Sequence, residues 1–282
     1  METRFAGQLL MSLALAAAIL GFASTTHAQG EGITNQMQMG TAGGMTDQLA
    51  YGNLGATVER DQSDAYQAFL KERDAAKKIE RGREFLKRFP KSLLAEQVDA
   101  GLMDIYRTQA DWKDEYAYAD QALALNPKDV DVLATVGWTI PHVVNPNDPD
   151  AADELDKAEK YAKQALEILA AMPKPSDMSE AQFAQAKSKR VSQAHNALGL
   201  VYFRRNNYDD SVKELQESLK GNPFQDQTAF YVLGVDCMKL NRFSEAADAF
   251  TGCSQLAGPL QAPCKQQAAA ANDLKAGSPK AQ

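Results

Sequence analysis

After residue 28, the side chains best suited to chemistry belong to three cysteines and two histidines. Cys237, Cys253 and Cys264 all lie late in the sequence, and no two of them form a Cys-x-x-Cys pair. A redox-active dithiol is therefore disfavoured, because that close spacing is what lowers a thiol pKa in disulfide-exchange enzymes. In an oxidising compartment, cysteines instead form disulfides that stabilise the fold.

The remaining candidate groups do not assemble into a catalytic or metal-binding pattern. His142 lies in a proline-rich stretch, and His195 takes an apolar position early in a predicted helix. The sequence lacks the His/Glu spacing of metal sites, a phosphate-binding glycine loop and a nucleophile elbow. Met37, Met39 and Met45 offer soft thioethers, but no cysteine or histidine accompanies them. We therefore expect no metal, no cofactor and no enzymatic activity.

The first 28 residues have the order of a secretory signal peptide. Arg4 precedes an apolar run from Leu9 to Phe22, and small residues follow up to Ala28. Such a segment is removed on export, and we expect cleavage after Ala28. A membrane anchor is the alternative, but it needs roughly 20 apolar residues, which this run does not reach. The sequence thus predicts a periplasmic or secreted protein with no transmembrane segment after cleavage.

Composition narrows the class of partner. The chain has 282 residues and a formal net charge of -7. Nucleic-acid binding needs clustered Lys and Arg against the phosphates, so this balance argues against a nucleic-acid partner. Residues 29–63 are rich in Gly, Gln, Met and Thr without a helical or strand period, which predicts a flexible mature N-terminus.

From Asp64 onward, helical segments alternate with turns, and no segment alternates like a strand. One order of residues recurs along this part of the chain. It consists of a Leu-Gly pair, a turn, an aromatic residue, an alanine-rich or apolar second helix and a closing proline. The two clearest copies contain Leu198-Gly199, Tyr202, Asn206-Asn207, Tyr208 and Asn222-Pro223, and then Leu233-Gly234, Asn241-Arg242, Phe243, Ala246 and Phe250.

This pattern resembles the tetratricopeptide repeat, a helix–turn–helix unit of 34 residues. The resemblance covers residues 64–260, is strongest in the last two copies and is interrupted in the third. It implies an all-α fold, a right-handed superhelical solenoid of about five helix pairs plus a C-terminal capping helix. Glycine and alanine at the crossings predict close approach of the two helices in a pair. An ordinary helical bundle with coincidental spacing is the alternative.

The chain therefore divides into four parts: a signal peptide (1–28), a flexible N-terminus (29–63), the repeat array (64–260) and a capping helix with a tail (261–282). The array carries a loop insertion at 141–150, whose prolines and Asn/Asp run predict a rigid loop, either functional or merely tolerated. Asp150 is the expected N-cap of the helix after it. Ser176 or Ser179 begins a long helix that ends near Arg205.

The positions of the cysteines in these repeats predict one disulfide. Cys253 ends the second helix of the last repeat, and Cys264 opens the capping helix after Gly258-Pro259. We predict that they pair and clamp the cap to the array. Cys237 takes the position that Tyr202 has in the preceding copy, so we expect a buried, free thiol.

In tetratricopeptide arrays the first helix of each pair lines the concave side, and the resemblance therefore implies a partner-binding groove. Carried over by register, the lining residues are Asp104, Arg107, Trp138, Asn196, Leu200, Phe203, Arg204, Tyr231, Val235, Met238 and Lys239, with His142 beside Trp138. Aromatic residues and arginine are enriched at binding hot spots, and methionine adapts to varied partners. The Lys/Asn carboxylate clamp of the family is not present in this register, which argues against chaperone-tail recognition.

The leading prediction is thus a non-enzymatic scaffold that binds a peptide or a partner segment of another protein in this groove. One alternative is a structural repeat protein that self-associates. A small-ligand carrier or an enzyme built on the same groove is the other, and no polar constellation in the sequence favours it.

Overall fold

The computed structural model describes residues 60–220 and 226–277, which form eleven α-helices joined by turns. In chain order they are α1 (Arg60–Lys71), α2 (Ala75–Arg88), α3 (Ala95–Thr108), α4 (Trp112–Leu125), α5 (Val130–Val143), α6 (Ala151–Ala171), α7 (Glu180–Arg204), α8 (Tyr208–Leu219), α9 (Gln227–Lys239), α10 (Phe243–Gln255) and α11 (Gln261–Gly277). No strand occurs in these two ranges. The predicted all-α array of five helix pairs followed by a final helix is confirmed, and its superhelical hand stays a prediction.

The predicted signal peptide, most of the range 29–63 and the Asn222-Pro223 turn lie outside the described residues. α1 begins at Arg60, four residues before the expected start of the array at Asp64. Tyr66 and Phe69 of α1 are buried, so packing fixes this helix. Extending a fixed helix by a few residues is easy, because each added residue gains a hydrogen bond without a new nucleus.

The chain consists of two compact units, one up to Asp129 and one from Val130 onward. The core of the first unit is an aromatic and aliphatic cluster of Tyr66, Phe69, Phe85, Val98, Leu102 and Tyr106. Gly82 of α2 lets α3 approach closely, since a Cβ at that position would lie 2.9 Å from Leu102 Cδ2. Asp74 and Asp111 cap α2 and α4 by accepting hydrogen bonds from the backbone N–H groups of Lys77 and Asp114.

In the second unit, the two Leu-Gly pairs mark equivalent helix crossings. A Cβ on Gly199 of α7 would lie 2.5 Å from Leu215 Cγ of α8. A Cβ on Gly234 of α9 would likewise lie 2.6 Å from Phe250 Cε1 of α10. Each glycine therefore makes room for one bulky side chain of the second helix in its pair. This is the close approach that the sequence predicted.

The loop insertion is shorter than its composition predicted. α5 continues through Pro141 to Val143, so the loop comprises residues 144–150 and the predicted boundary at 141 was wrong. Ile140 and Pro141 are buried, and Val144 N donates to the Ile140 carbonyl at 2.9 Å, which closes the last turn. Packing thus outweighs the hydrogen bond that the proline removes. Asp150 takes the N-cap position of α6, but its side chain makes no capping hydrogen bond.

The long helix α7 begins after Ser179, which settles the choice between Ser176 and Ser179. Ser179 Oγ accepts from Gln182 N, and Gln182 Oε1 accepts from Ser179 N at 3.1 Å. This reciprocal capping box satisfies two backbone donors at the start of the helix. It also fixes the start of the helix that carries residues 196–204.

The capping helix α11 packs on α10 and is joined to it covalently. A disulfide links Cys253 to Cys264, whose Cα atoms are 5.9 Å apart, as the sequence predicted. Gln227 holds the turn between these helices, because its Nε2 donates to the Leu256 carbonyl at 3.0 Å and its Oε1 accepts from Leu260 N at 3.1 Å. Cys237 is free and buried, and burial raises the pKa of its thiol to about 11, so it stays protonated and unreactive.

Removing this disulfide is expected to destabilise the protein. The bond closes a short loop, since the two cysteines are 11 positions apart. The double variant Cys253→Ala/Cys264→Ala should lose about 2–3 kcal/mol of unfolding free energy in urea titrations followed by circular dichroism. Reductant should weaken the wild type and Cys237→Ala equally and leave the double variant unchanged. A wild type that is equally stable with and without reductant contradicts the clamp.

Candidate partner-binding face

Most predicted groove residues lie on the first helices of the three pairs in the second unit. These helices are α5, α7 and α9, and α7 contacts both of the others. We use the name groove face for the predicted residues on them that reach solvent. They are Trp138, His142, Phe203, Arg204, Val235, Met238 and Lys239.

Three predicted groove residues are instead buried. Asn196, Leu200 and Tyr231 expose only 2%, 4% and 7% of their surface. The Tyr231 ring packs edge-on against Phe250 of α10, with the ring centroids 5.8 Å apart. Because these three side chains are buried, they support the groove face and do not form its surface.

Asp104 and Arg107 lie on α3, in the first unit. Arg107 Nη2 and Asp104 Oδ1 form an ion pair at 3.3 Å across one helical turn. An exposed pair of this kind contributes less than about 1 kcal/mol, because water screens both charges. That these two residues continue the groove face of the second unit stays a prediction.

Trp138 and His142 form a tilted ring contact on α5, with an interplanar angle of 36°. Their ring centroids are 4.0 Å apart, and His142 Nδ1 lies 2.7 Å from the Trp138 carbonyl oxygen. A carbonyl only accepts hydrogen bonds, so Nδ1 carries the proton. Burial lowers the pKa of His142, the Asp226 carboxylate raises it and the Arg204 guanidinium lowers it. His142 lies in the helix α5 and not in the loop that the sequence predicted. Because burial is the largest effect and lowers its pKa, His142 is neutral at pH 7.

Arg204 ends α7 and is tied to the end of α5. Its Nε donates to the Pro141 carbonyl oxygen at 3.1 Å. That carbonyl belongs to the last turn of α5, where no intrahelical donor remains to satisfy it. Burial lowers the pKa of Arg204, and no carboxylate among the described residues raises it.

Asp226 links α7 to α9, a role that the sequence did not predict. Its Oδ2 accepts from Asn196 Nδ2 at 2.8 Å, and its Oδ1 accepts from Thr228 N at 2.8 Å. The second bond caps α9. Asp two residues before Thr at the start of a predicted helix is a capping pattern that the sequence does contain. The cross-link to Asn196 has no sequence signal, because it joins residues 30 positions apart.

The groove face thus offers the aromatic rings of Trp138 and Phe203, the apolar side chains of Val235 and Met238, and two cations, Arg204 and Lys239. Within residues 60–220 and 226–277, no group of three or more His, Cys, Asp and Glu residues is placed to hold a metal ion. Over the same ranges, no helix is both long and apolar enough to cross a membrane. The chemistry that this surface supplies is apolar contact, stacking and charge pairing.

Comparison with solved structures places this fold among known proteins. The chain is similar to PilW, a widely conserved type IV pilus biogenesis factor, with 15% sequence identity, a TM-score of 0.51 and coverage of 78% of this chain and 93% of that one. It is also similar to a tetratricopeptide repeat protein from Parabacteroides merdae, with 13% identity, a TM-score of 0.36 and coverage of 78% and 92%. No family model and no curated protein matches the sequence.

Proposed function

We propose that this array of helix pairs, which resembles the tetratricopeptide repeat, is a non-enzymatic scaffold that binds an extended segment of a partner protein on the groove face. The observation that carries this proposal is the row of half-exposed side chains on three successive first helices. Trp138 lies on α5, Phe203 and Arg204 lie on α7, and Met238 lies on α9. Tryptophan and arginine are enriched among the residues that carry most binding energy, and phenylalanine and methionine are enriched at interfaces.

An extended polypeptide fits this surface better than a small ligand does. The helices α5, α7 and α9 follow one another, so a segment that crosses them meets Trp138, Phe203 and Met238 in turn. The aromatic and methionine side chains supply apolar contact, while Arg204 and Lys239 supply positive charge.

Alanine substitution on the groove face tests the proposal. Trp138→Ala and Phe203→Ala should leave the helical circular dichroism unchanged, because both residues are only half-buried. Each should weaken binding of a selected partner peptide about tenfold or more, the effect expected for an aromatic anchor. Lys213→Ala on the second helix α8, whose side chain is 72% exposed, is the matched control and should bind as the wild type does.

Unchanged binding by both aromatic variants contradicts the groove-face proposal. Light scattering of the purified protein distinguishes partner binding from the alternative of self-assembly. A monomer whose mass does not depend on concentration removes that alternative, whereas oligomers that grow with concentration favour it over partner binding.

We also propose that the protein acts outside the reducing cytosol, in the periplasm or secreted. The signal-peptide pattern of residues 1–28 and the Cys253–Cys264 disulfide both support this location. The intact mass of the exported protein tests it. A mass that starts at Gln29, with one disulfide and one free thiol, is the expected result.

A further inference from the structure

Arg204 is a half-buried cation whose charge is not matched by the described residues. Its Nε is bound to the Pro141 carbonyl, while its two terminal nitrogens bond to no residue in the described ranges. The bond at Nε fixes the plane of the guanidinium. The terminal N–H groups are therefore held in one orientation without a partner of opposite charge.

The neighbouring Arg205 is paired with carboxylates, as are other arginines of this chain. Arg205 forms ion pairs with Asp156 and Glu159 of α6. Arg190, on the same helix, pairs with Asp131 of α5. Arg204 differs from Arg190 and Arg205 because it forms no ion pair within the described ranges, although it is more buried than the adjacent Arg205.

The surroundings of Arg204 strengthen its attraction for an anion. Leu200 lies one helical turn away and is buried, and Phe203 is half-buried beside it. Apolar neighbours lower the local dielectric, so a charge pair formed here is worth more than one in open water. His142 is neutral at pH 7 and adds no competing charge, and the Asp226 carboxylate is held by Asn196 and Thr228.

We propose that Arg204 binds an aspartate or glutamate side chain within the partner segment. This inference rests on the proposed function, since it names the chemistry that the groove face recognises. A planar guanidinium with two free terminal nitrogens matches a carboxylate with two parallel hydrogen bonds.

The acid belongs to a side chain and not to the end of the partner chain. Arg204 lies on α7, the middle one of the three first helices. A segment that contacts Trp138 on α5 and Met238 on α9 therefore continues past Arg204 in both directions. A chain terminus at this position would leave one side of the groove face without contacts.

Selection of peptides provides the test. A phage-displayed library of random dodecapeptides is enriched on the purified chain, and the selected peptides are synthesised with amidated C-termini. We expect them to share one Asp or Glu flanked by apolar residues. Replacing that residue by Asn or Gln should weaken binding to the wild type about ten- to a hundredfold, the effect of a charge-assisted hydrogen bond. The same peptide change should have little effect on binding to Arg204→Met.

Arg205→Met is the matched control, and it should retain full sensitivity to the peptide change. Amide peptides that lose binding, with recovery by the free acid, overturn the side-chain assignment in favour of a chain end. Peptides that need Trp138 but bind equally with Asp or Asn overturn the role of Arg204 and leave the proposed function standing. Peptides that bind Trp138→Ala as well as the wild type overturn both. If Arg204→Met does not fold, a peptide change from Asp to Asn that leaves wild-type binding unchanged still overturns the role of Arg204.

Discussion

Replacing Asp236 with asparagine is expected to stabilise the protein at pH 8 and to change little at pH 4. Asp236 of α9 is completely buried, and burial raises its pKa from 3.8 to about 7. The Ser211 hydroxyl opposes this rise, but its single proton already serves the Gly199 carbonyl at 2.7 Å. The buried carboxyl group is therefore neutral in acid and becomes an unfavourable charge as the pH rises.

The sign of the pH dependence follows from proton binding. Between pH 4 and pH 7 the folded chain keeps a proton on Asp236 that the unfolded chain has lost. The free energy of unfolding therefore falls as the pH rises through this window, by at most about 4 kcal/mol for a shift of this size. Asparagine has the same shape and never ionises, so Asp236→Asn should remove this part of the slope.

Urea unfolding at several pH values measures this effect. We expect Asp236→Asn to exceed the wild type by about 2–4 kcal/mol at pH 8. Burial also raises the pKa of Asp99, in the first unit, to about 7, so the variant keeps part of the slope. Asp248→Asn removes an exposed carboxylate from α10 and should follow the wild type at every pH. An Asp236→Asn variant with the full wild-type slope contradicts the assignment.

The second large effect concerns the crossing of α9 and α10. Phe250 exposes only 1% of its surface and fills the space over Gly234. Phe250→Ala should lower the free energy of unfolding by about 3–5 kcal/mol, because it leaves a cavity. Gly234→Ala alone should cost about 1–3 kcal/mol, because the new Cβ meets the Phe250 ring.

The effect of Gly234→Ala should change sign in the Phe250→Ala background. In the Phe250→Ala background the ring is gone, so a Cβ at position 234 fills part of the cavity. Alanine also favours the helix over glycine by about 1 kcal/mol. Gly234→Ala should therefore stabilise that background, as a double-mutant cycle of urea unfolding measures. Gly137→Ala, whose nearest contact would be Ala162 N at 3.3 Å, is the control and should show no such coupling. A Gly234→Ala effect that is equal in both backgrounds contradicts the account of this crossing.

Local features that repeat or that cap a helix could be predicted from the sequence. The Leu-Gly pairs at 198–199 and 233–234 identify both crossings, because a missing side chain marks close approach directly. The capping box at Ser179 and Gln182 is contained within four residues. The Cys253–Cys264 disulfide was predictable because the repeat order places one cysteine at each side of a single turn.

Features that depend on burial or on distant contacts could not be predicted. Pro141 has a loop-forming composition around it, yet packing of α5 keeps it helical. Arg204 and Arg205 are identical residue types in adjacent positions. Only the position of α6 gives Arg205 its carboxylate partners and leaves Arg204 without one. Asn196 and Tyr231 are buried for the same reason, since helix register alone does not say which neighbour covers them.

The most direct test of the central claim is photo-crosslinking from the groove face. The photoreactive residue p-benzoylphenylalanine replaces Phe203 on α7 in one variant and Lys213 on α8 in another, in cells that express the protein. We expect a covalent adduct with a partner polypeptide from position 203 and none from position 213. Adducts from both positions alike, or from position 213 alone, contradict the claim that the groove face is the partner-binding surface.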